Sequence, residues 1–159
     1  MFDYTKKWGN VLVPYKDKVK NYLEIGLDKG VTLPIWKNYF NCQVYGIDIS
    51  LKNLTINKNN FFIYEANSID KNFANNTFQD YYFDMILDDA SPHLHVETFE
   101  VYSPKLSKTG IYIIETFRHS PNFMQIFKAL KINKKFNFKI TFSLLSREPV
   151  IIATPCPSF

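Results

Sequence analysis

An apolar run that stops at glycine, NYLEIG at 21–26, is followed by a second, QVYGID at 43–48, that stops at an acid. Runs of this kind read as strands buried on both faces, with C-terminal ends that open onto a ligand crevice. Further β-branched or aromatic runs stand at 61–65, 81–88, 111–117, 136–145 and 149–154. Helical patterns lie between them at 32–40, 94–106 and 121–131, and Pro34 is acceptable because it falls in a first helical turn. Ser50 reads as the N-cap of one more short helix, and the Asn-rich stretch 67–80 reads as a surface loop without period. Strands alternating with helices predict a mostly parallel α/β sheet. The short connection between the last two runs predicts a C-terminal antiparallel hairpin at its edge.

A chain of 159 residues with 46% hydrophobic and 17% aromatic content has the length and apolar content of one globular domain. No apolar run approaches the ~18 residues of a membrane span, and the start MFDYTKKWGN lacks a signal peptide's apolar core. A cytoplasmic protein with no membrane partner is expected. Cys42 and Cys156 form neither a C-x-x-C pair nor a disulfide framework and read as ordinary thiols. The formal charge is +4, yet 17 of the 19 basic residues are Lys, leaving Arg118 and Arg147 to offer a planar fork to phosphates and bases. Nucleic acid is therefore disfavoured as a partner.

Gly26 permits a tight turn at the end of the first strand and close backbone approach to a ligand, and Gly30 lets the following helix pack near it. A dinucleotide G-x-G-x-x-G would need glycine at 28 and 31, where Asp28 and Val31 stand. Asp48 lies 22 residues beyond Gly26, near the ~20-residue offset at which an acid accepts hydrogen bonds from ribose hydroxyls. A nucleoside ligand fits this pattern; a dinucleotide does not.

Glu24-Ile25-Gly26 with Gly30, followed by Gly46-Ile47-Asp48, resembles motifs I and II of the class I S-adenosylmethionine-dependent methyltransferases. The resemblance implies a Rossmann-like fold over nearly the whole chain. It also implies a cofactor site built from Glu24, Gly26, Gly30, Asp48, Asn67, Ser68 and Asp88. The stretch 22–40, with Thr32, Trp36, Tyr39 and Phe40, and then 44–49 are similar to the metal-dependent sugar O-methyltransferases that act on macrolide or aminocoumarin sugars. Members of that subfamily tend to carry T-D-K-W-G near the N-terminus, D-D-G-S-H after the fourth strand and an acidic pair after the fifth. Here Lys6 replaces the acid in Thr5-Lys6-Lys7-Trp8-Gly9, one residue is inserted before the histidine in Asp88-Asp89-Ala90-Ser91-Pro92-His93, and Glu115-Thr116 keeps the first acid alone. The resemblance places residues 1–20 on the substrate side and makes 21–159 the cofactor-binding core.

An unactivated sugar hydroxyl is a poor nucleophile at pH 7, so methylation needs a base, a cation that lowers its pKa, or both. Asp88 and Glu115 end strands that this fold makes neighbours, about 4.8 Å apart, close enough to share one ion. Mg²⁺ uses one or two carboxylates and fills its octahedron with waters and substrate oxygens, and by the subfamily's pattern Asp89 and Glu115 are its ligands. Asp88 then lines the cofactor or shares in catalysis, and His93, or His95 if Pro92 turns the loop, is the base. The same Asp88 and Asp89 would equally serve to cap the next helix, with Ser91 as N-cap and Pro92 at N1. Arg118 and His119, in the loop that follows, would read a glycan oxygen or phosphate, or equally stand exposed at the surface. Phe2, Tyr4, Trp8 and Tyr15 would form an aromatic flap over a sugar or pack on the sheet, and Trp36 is core.

The leading expectation is methyl transfer from S-adenosylmethionine to a hydroxyl of a sugar or glycan, with or without Mg²⁺. The chain is short for that job, so it is expected to be a minimal form, an excised domain, or one completed as a homo-oligomer. A binding module with a decayed catalytic centre and an RNA or protein methyltransferase are the competing readings.

Overall fold

Tyr22, Leu23, Glu24 and Ile25 are all buried, as residues of a strand covered on both faces must be. They form β1 (Asn21–Ile25), at the middle of a seven-stranded sheet. The computed structural model describes residues 11–115, 123–142 and 149–157. β2 (Gln43–Asp48) and β4 (Phe83–Asp88) flank β1 in parallel, and β3 (Phe62–Glu65) and β5 (Leu106–Glu115) extend the parallel set outward. β6 (Phe136–Phe142) and β7 (Pro149–Pro155) complete the order β3-β2-β1-β4-β5-β7-β6. The expected hairpin forms, but its antiparallel strand lies inside the sheet. β7 opposes both β5 and β6, so the edge strand β6 runs in the direction of β5.

Alternation along the strands sorts the core into two layers. On one face Tyr22, Val44, Met85, Leu87 and Ile113 pack against Leu33, Trp36 and Phe40 of α1 (Leu33–Phe40), joined by Leu12 and Val19. On the other, Leu23, Ile47, Ile86, Tyr112 and Ile114 meet α2 (Lys71–Thr77), α3 (His95–Tyr102) and α4 (Phe123–Leu130). The expected core role of Trp36 is observed, with 1% of its surface exposed.

Three local expectations are corrected. No helix starts at Ser50. The Asp48 carboxylate takes the Ser50 N–H at 3.0 Å and Glu65 takes that of Leu51 at 3.1 Å, which turns the chain instead of capping a helix. The Asn-rich stretch expected to be a loop contains α2, because Asp70 accepts from the amides of Asn72 and Phe73 at 2.9 and 3.0 Å. Its periodic signal is weak because the helix has seven residues. The pattern read as helix over 94–106 ends at Tyr102, and β5 begins at Leu106, with a register shift against β4 between Phe83 and Met85. Asp70→Ala removes the α2 cap, which is worth about 1 kcal/mol. The expected result is a melting temperature lower by roughly 3 °C in thermal denaturation.

Candidate functional site

The ends of β1, β2 and β4 enclose a cavity of about 620 Å³, within the range of small-molecule sites. It sits where the strand order reverses, between β1, which connects to β2 on one side, and β4 on the other. Gly26 adopts φ +89, and its amide bonds the Ile47 carbonyl at 2.9 Å. A Cβ at Gly26 would lie 2.5 Å from the Asp89 carbonyl oxygen, so this position holds the loop after β1 against the loop after β4. The Asp89 amide bonds Ile25 O at 2.9 Å and fixes the same approach.

Asp48 organises the loop above it. One carboxylate oxygen accepts from the amides of Leu27 and Asp28 at 2.6 and 3.1 Å, and the other from Ser50. Asp48 lines the cavity with Asn67 and Ser68, so the residues expected at ribose and base share one wall system. Ser68 is buried, its hydroxyl 3.1 Å from that of Thr98 on α3, whereas Asn67 is exposed and accepts from the Ile69 amide.

Glu24 lies in the cavity wall with 3% exposure, and its carboxyl accepts from the hydroxyls of Tyr22, at 2.7 Å, and Thr32. Burial pushes this carboxyl up to about 7, the two hydroxyl donors pull it back, and the nearby Asp89 charge adds to the rise. Tyr22 and Thr32 were not among the expected site residues. The signal for Tyr22 was present: two residues before Glu24 on a strand, it must share its face.

Other expected members are placed differently. Gly30, at φ +71, does not line the cavity; a Cβ there would meet Leu54 at 2.6 Å, so its small size serves packing beneath the loop. Asp88 also lies outside the cavity. Alternation at the end of β4 turns it to the α3 face, where it has 0% exposure, bonds the Ala90 amide at 3.2 Å and lies 3.1 Å from His95 Nδ1. Asp89, one residue on, lines the cavity. His95 is fully buried, which removes it as the base, while His93 is exposed on the turn between the lining residues Ser91 and Leu94.

Asp88 pairs with Ile114, which brings the backbone of Asp89 level with Glu115 at the ends of adjacent strands. Among the described residues no group of three His, Cys, Asp or Glu side chains could hold a metal ion. The two carboxylates of Asp89 and Glu115 fall within the one or two that Mg²⁺ ordinarily takes from protein. The Thr5–Gly9 motif, Phe2, Tyr4, Thr116, Arg118 and His119 lie outside the described residues. Tyr15 packs against the layer that holds Trp36.

No protein-family model matches the chain, and no curated protein matches it. Solved structures do. The MycE methyltransferase of the mycinamycin biosynthetic pathway, in complex with Mg and SAH (S-adenosylhomocysteine), aligns at TM-score 0.69 and 19% identity, over 96% of this chain and 46% of that one. The O-methyltransferase from Bacillus cereus in complex with SAH aligns at TM-score 0.76 and 16% identity, over 98% and 82%. A SAM-dependent methyltransferase from Archaeoglobus fulgidus aligns at TM-score 0.70 and 15% identity, over 95% and 93%. The chain spans about half the length of the MycE structures it matches. The fold is the Rossmann-like methyltransferase fold, a mostly parallel sheet with its β5/β7/β6 antiparallel end.

Proposed function

From this methyltransferase fold we propose that the chain binds S-adenosylmethionine in the cavity at the ends of β1, β2 and β4, and that it methylates a hydroxyl of a sugar or glycan. The observation that carries the reading is Asp48. It is a cavity carboxylate that organises the glycine turn through the Leu27 and Asp28 amides, beside Asn67 and Ser68. The cofactor supplies a methyl group on a positively charged sulfur. Glu24 would set a carboxyl in the cavity wall against that charge, and Gly26 keeps the backbone low enough for a ligand to lie across it. We assign proton removal from the acceptor to His93, on the turn beside the cavity wall. Asp89 and Glu115 would hold Mg²⁺, whose charge would lower the pKa of the acceptor hydroxyl. The sugar reading is supported by the resemblance of residues 22–40 and 44–49 and by the likeness to MycE.

Calorimetric titration with SAH, alone and with Mg²⁺, tests the nucleoside site before any acceptor is known. Micromolar binding is expected, and no binding at hundreds of micromolar would overturn the reading. Asp48→Ala removes an acceptor shared by three backbone amides. It is expected to cost about 2 kcal/mol, a roughly 30-fold loss of SAH affinity, without changing the response to Mg²⁺. Glu115→Ala is expected to abolish the Mg²⁺ response and leave SAH binding intact.

The competing reading is a module that binds the cofactor without turnover. The inward turn of Asp88, which leaves the cavity one acid fewer than the sequence pattern implied, favours it. SAH binding, with no methylation of any sugar acceptor when Mg²⁺ is present, would select it.

A further inference from the structure

The α3 face that meets the sheet buries two polar side chains beside the apolar Phe99, Val101 and Tyr102. His95 and Thr98, three residues apart, both have 0% exposure. Each touches a different cavity loop from behind. Thr98 Oγ1 lies 3.1 Å from Ser68 Oγ, in the loop after β3. His95 Nδ1 lies 3.1 Å from Asp88 Oδ2, off the hydrogen-bond direction, and Asp88 Oδ1 accepts from Ala90 N at 3.2 Å in the loop after β4. The Tyr112 hydroxyl reaches Asp88 at 3.5 Å, and burial holds that phenol well above its ordinary value, so it remains a donor. A carboxylate with no exposure is costly without a partner, and the imidazole is the group placed to face it.

We propose that His95 and Thr98 are positioning residues that set the two cavity loops relative to each other, although neither lines the cavity. His95 acts through Asp88 on the 89–91 turn, and Thr98 acts through Ser68 on the 66–68 turn. Ala90, Ser91, Asn67 and Ser68 all line the cavity, so a shift of α3 moves both walls at once. Packing alone would be satisfied by apolar residues of the same size. The Thr98–Ser68 hydrogen bond instead fixes direction, because a hydrogen bond loses strength steeply with misalignment, and the buried Asp88 carboxylate holds the imidazole that faces it at 3.1 Å. The inference rests on the nucleoside reading of the cavity, and its test carries a readout independent of that reading.

His95→Leu keeps volume without a donor, whereas His95→Asn keeps a nitrogen near the place of Nδ1. Thr98→Val removes the hydroxyl, and Thr98→Ser restores it. SAH affinity is measured by calorimetry and exchange of the Ala90 amide by NMR, on the full chain. His95→Leu is expected to weaken SAH at least tenfold and to speed Ala90 exchange at least tenfold, with His95→Asn within threefold of the parent in both. Thr98→Val is expected to weaken SAH about fivefold and Thr98→Ser to recover it. Parent-like SAH binding and exchange in His95→Leu, or an Asn variant as impaired as the Leu variant while folded, would overturn the proposal. If the parent itself does not bind SAH, the nucleoside reading fails, and the Ala90 exchange of the Leu and Asn variants still decides the positioning role. Should His95→Leu not fold, the Asn variant and the Thr98 pair carry the same decision.

Discussion

Gly26→Ala is expected to abolish SAH binding and to destabilise the fold by about 3 kcal/mol, from an unfavourable backbone conformation and from overpacking. Two independent penalties meet at this residue. At φ +89 any side chain is strained, at a cost of about 1–2 kcal/mol. The added Cβ would also stand 2.5 Å from Asp89 O, 2.7 Å from Asp89 C and 2.9 Å from Ala90 N. All three are backbone atoms and cannot rotate away as a side chain would. Relief requires the loops after β1 and β4 to part, which breaks the Asp89–Ile25 bond of 2.9 Å and opens the cavity wall. Gly30→Ala is the control. Its obstruction is made by Leu54 and Ile56 side-chain carbons that can yield, and Gly30 does not line the cavity. That variant is expected to lose about 1–2 kcal/mol from its positive φ while SAH binding persists. Urea denaturation with calorimetry of both variants reads the contrast. A Gly26→Ala protein that binds SAH like the parent would refute the assignment of this turn to the ligand.

The same turn shows what the sequence conveyed and why it stopped there. The β1 and β2 strands were legible because strands buried on both faces leave continuous apolar runs, and their ends were legible because glycine and acid interrupt those runs. The side of the sheet to which an end residue turns was not legible at the Asp88-Asp89 pair. Both acids suit a strand end, and a single step in alternation decides that Asp89 enters the cavity while Asp88 meets His95. The α2 helix was missed because its determinant is one cap, Asp70, in a stretch whose Asn residues hide any period. The helix placed after Ser50 failed for the opposite reason: a good capping residue was present, but Asp48 and Glu65 claimed the amides that a helix would have used. Short-range side-chain-to-backbone bonds decided both cases, and their partners are distant in sequence or common in composition. The Glu24 network was partly legible from alternation with Tyr22, but Thr32 reaches it only because α1 begins where the glycine turn brings it back.

Glu24→Gln is expected to stabilise the protein at pH 8 and not at pH 5, while weakening SAH binding at pH 8. Glu24 is buried, and its carboxyl stands near 7 in the folded chain. In the unfolded chain it titrates near 4.3. Between those values the folded state holds a proton that the unfolded state has lost, so stability falls as pH rises through this window and levels off above it. The full difference is worth about 4 kcal/mol, an upper bound on the gain from a neutral amide at pH 8. Gln can be accommodated because the hydroxyls of Tyr22 and Thr32 can each accept as well as donate. Thermal melts of parent and variant at the two pH values read this directly; an equal gap at both would mean that Glu24 is ionised throughout. The binding prediction runs the other way. The charged carboxylate is the form that favours a ligand's ammonium or sulfonium, so parent affinity should tighten as pH rises through 7 and the Gln variant should not follow. A residue that costs stability at working pH while strengthening the ligand site shows the exchange of stability for function found at binding centres. A chain that kept the same burial for structural reasons alone would gain stability from the substitution and lose no affinity.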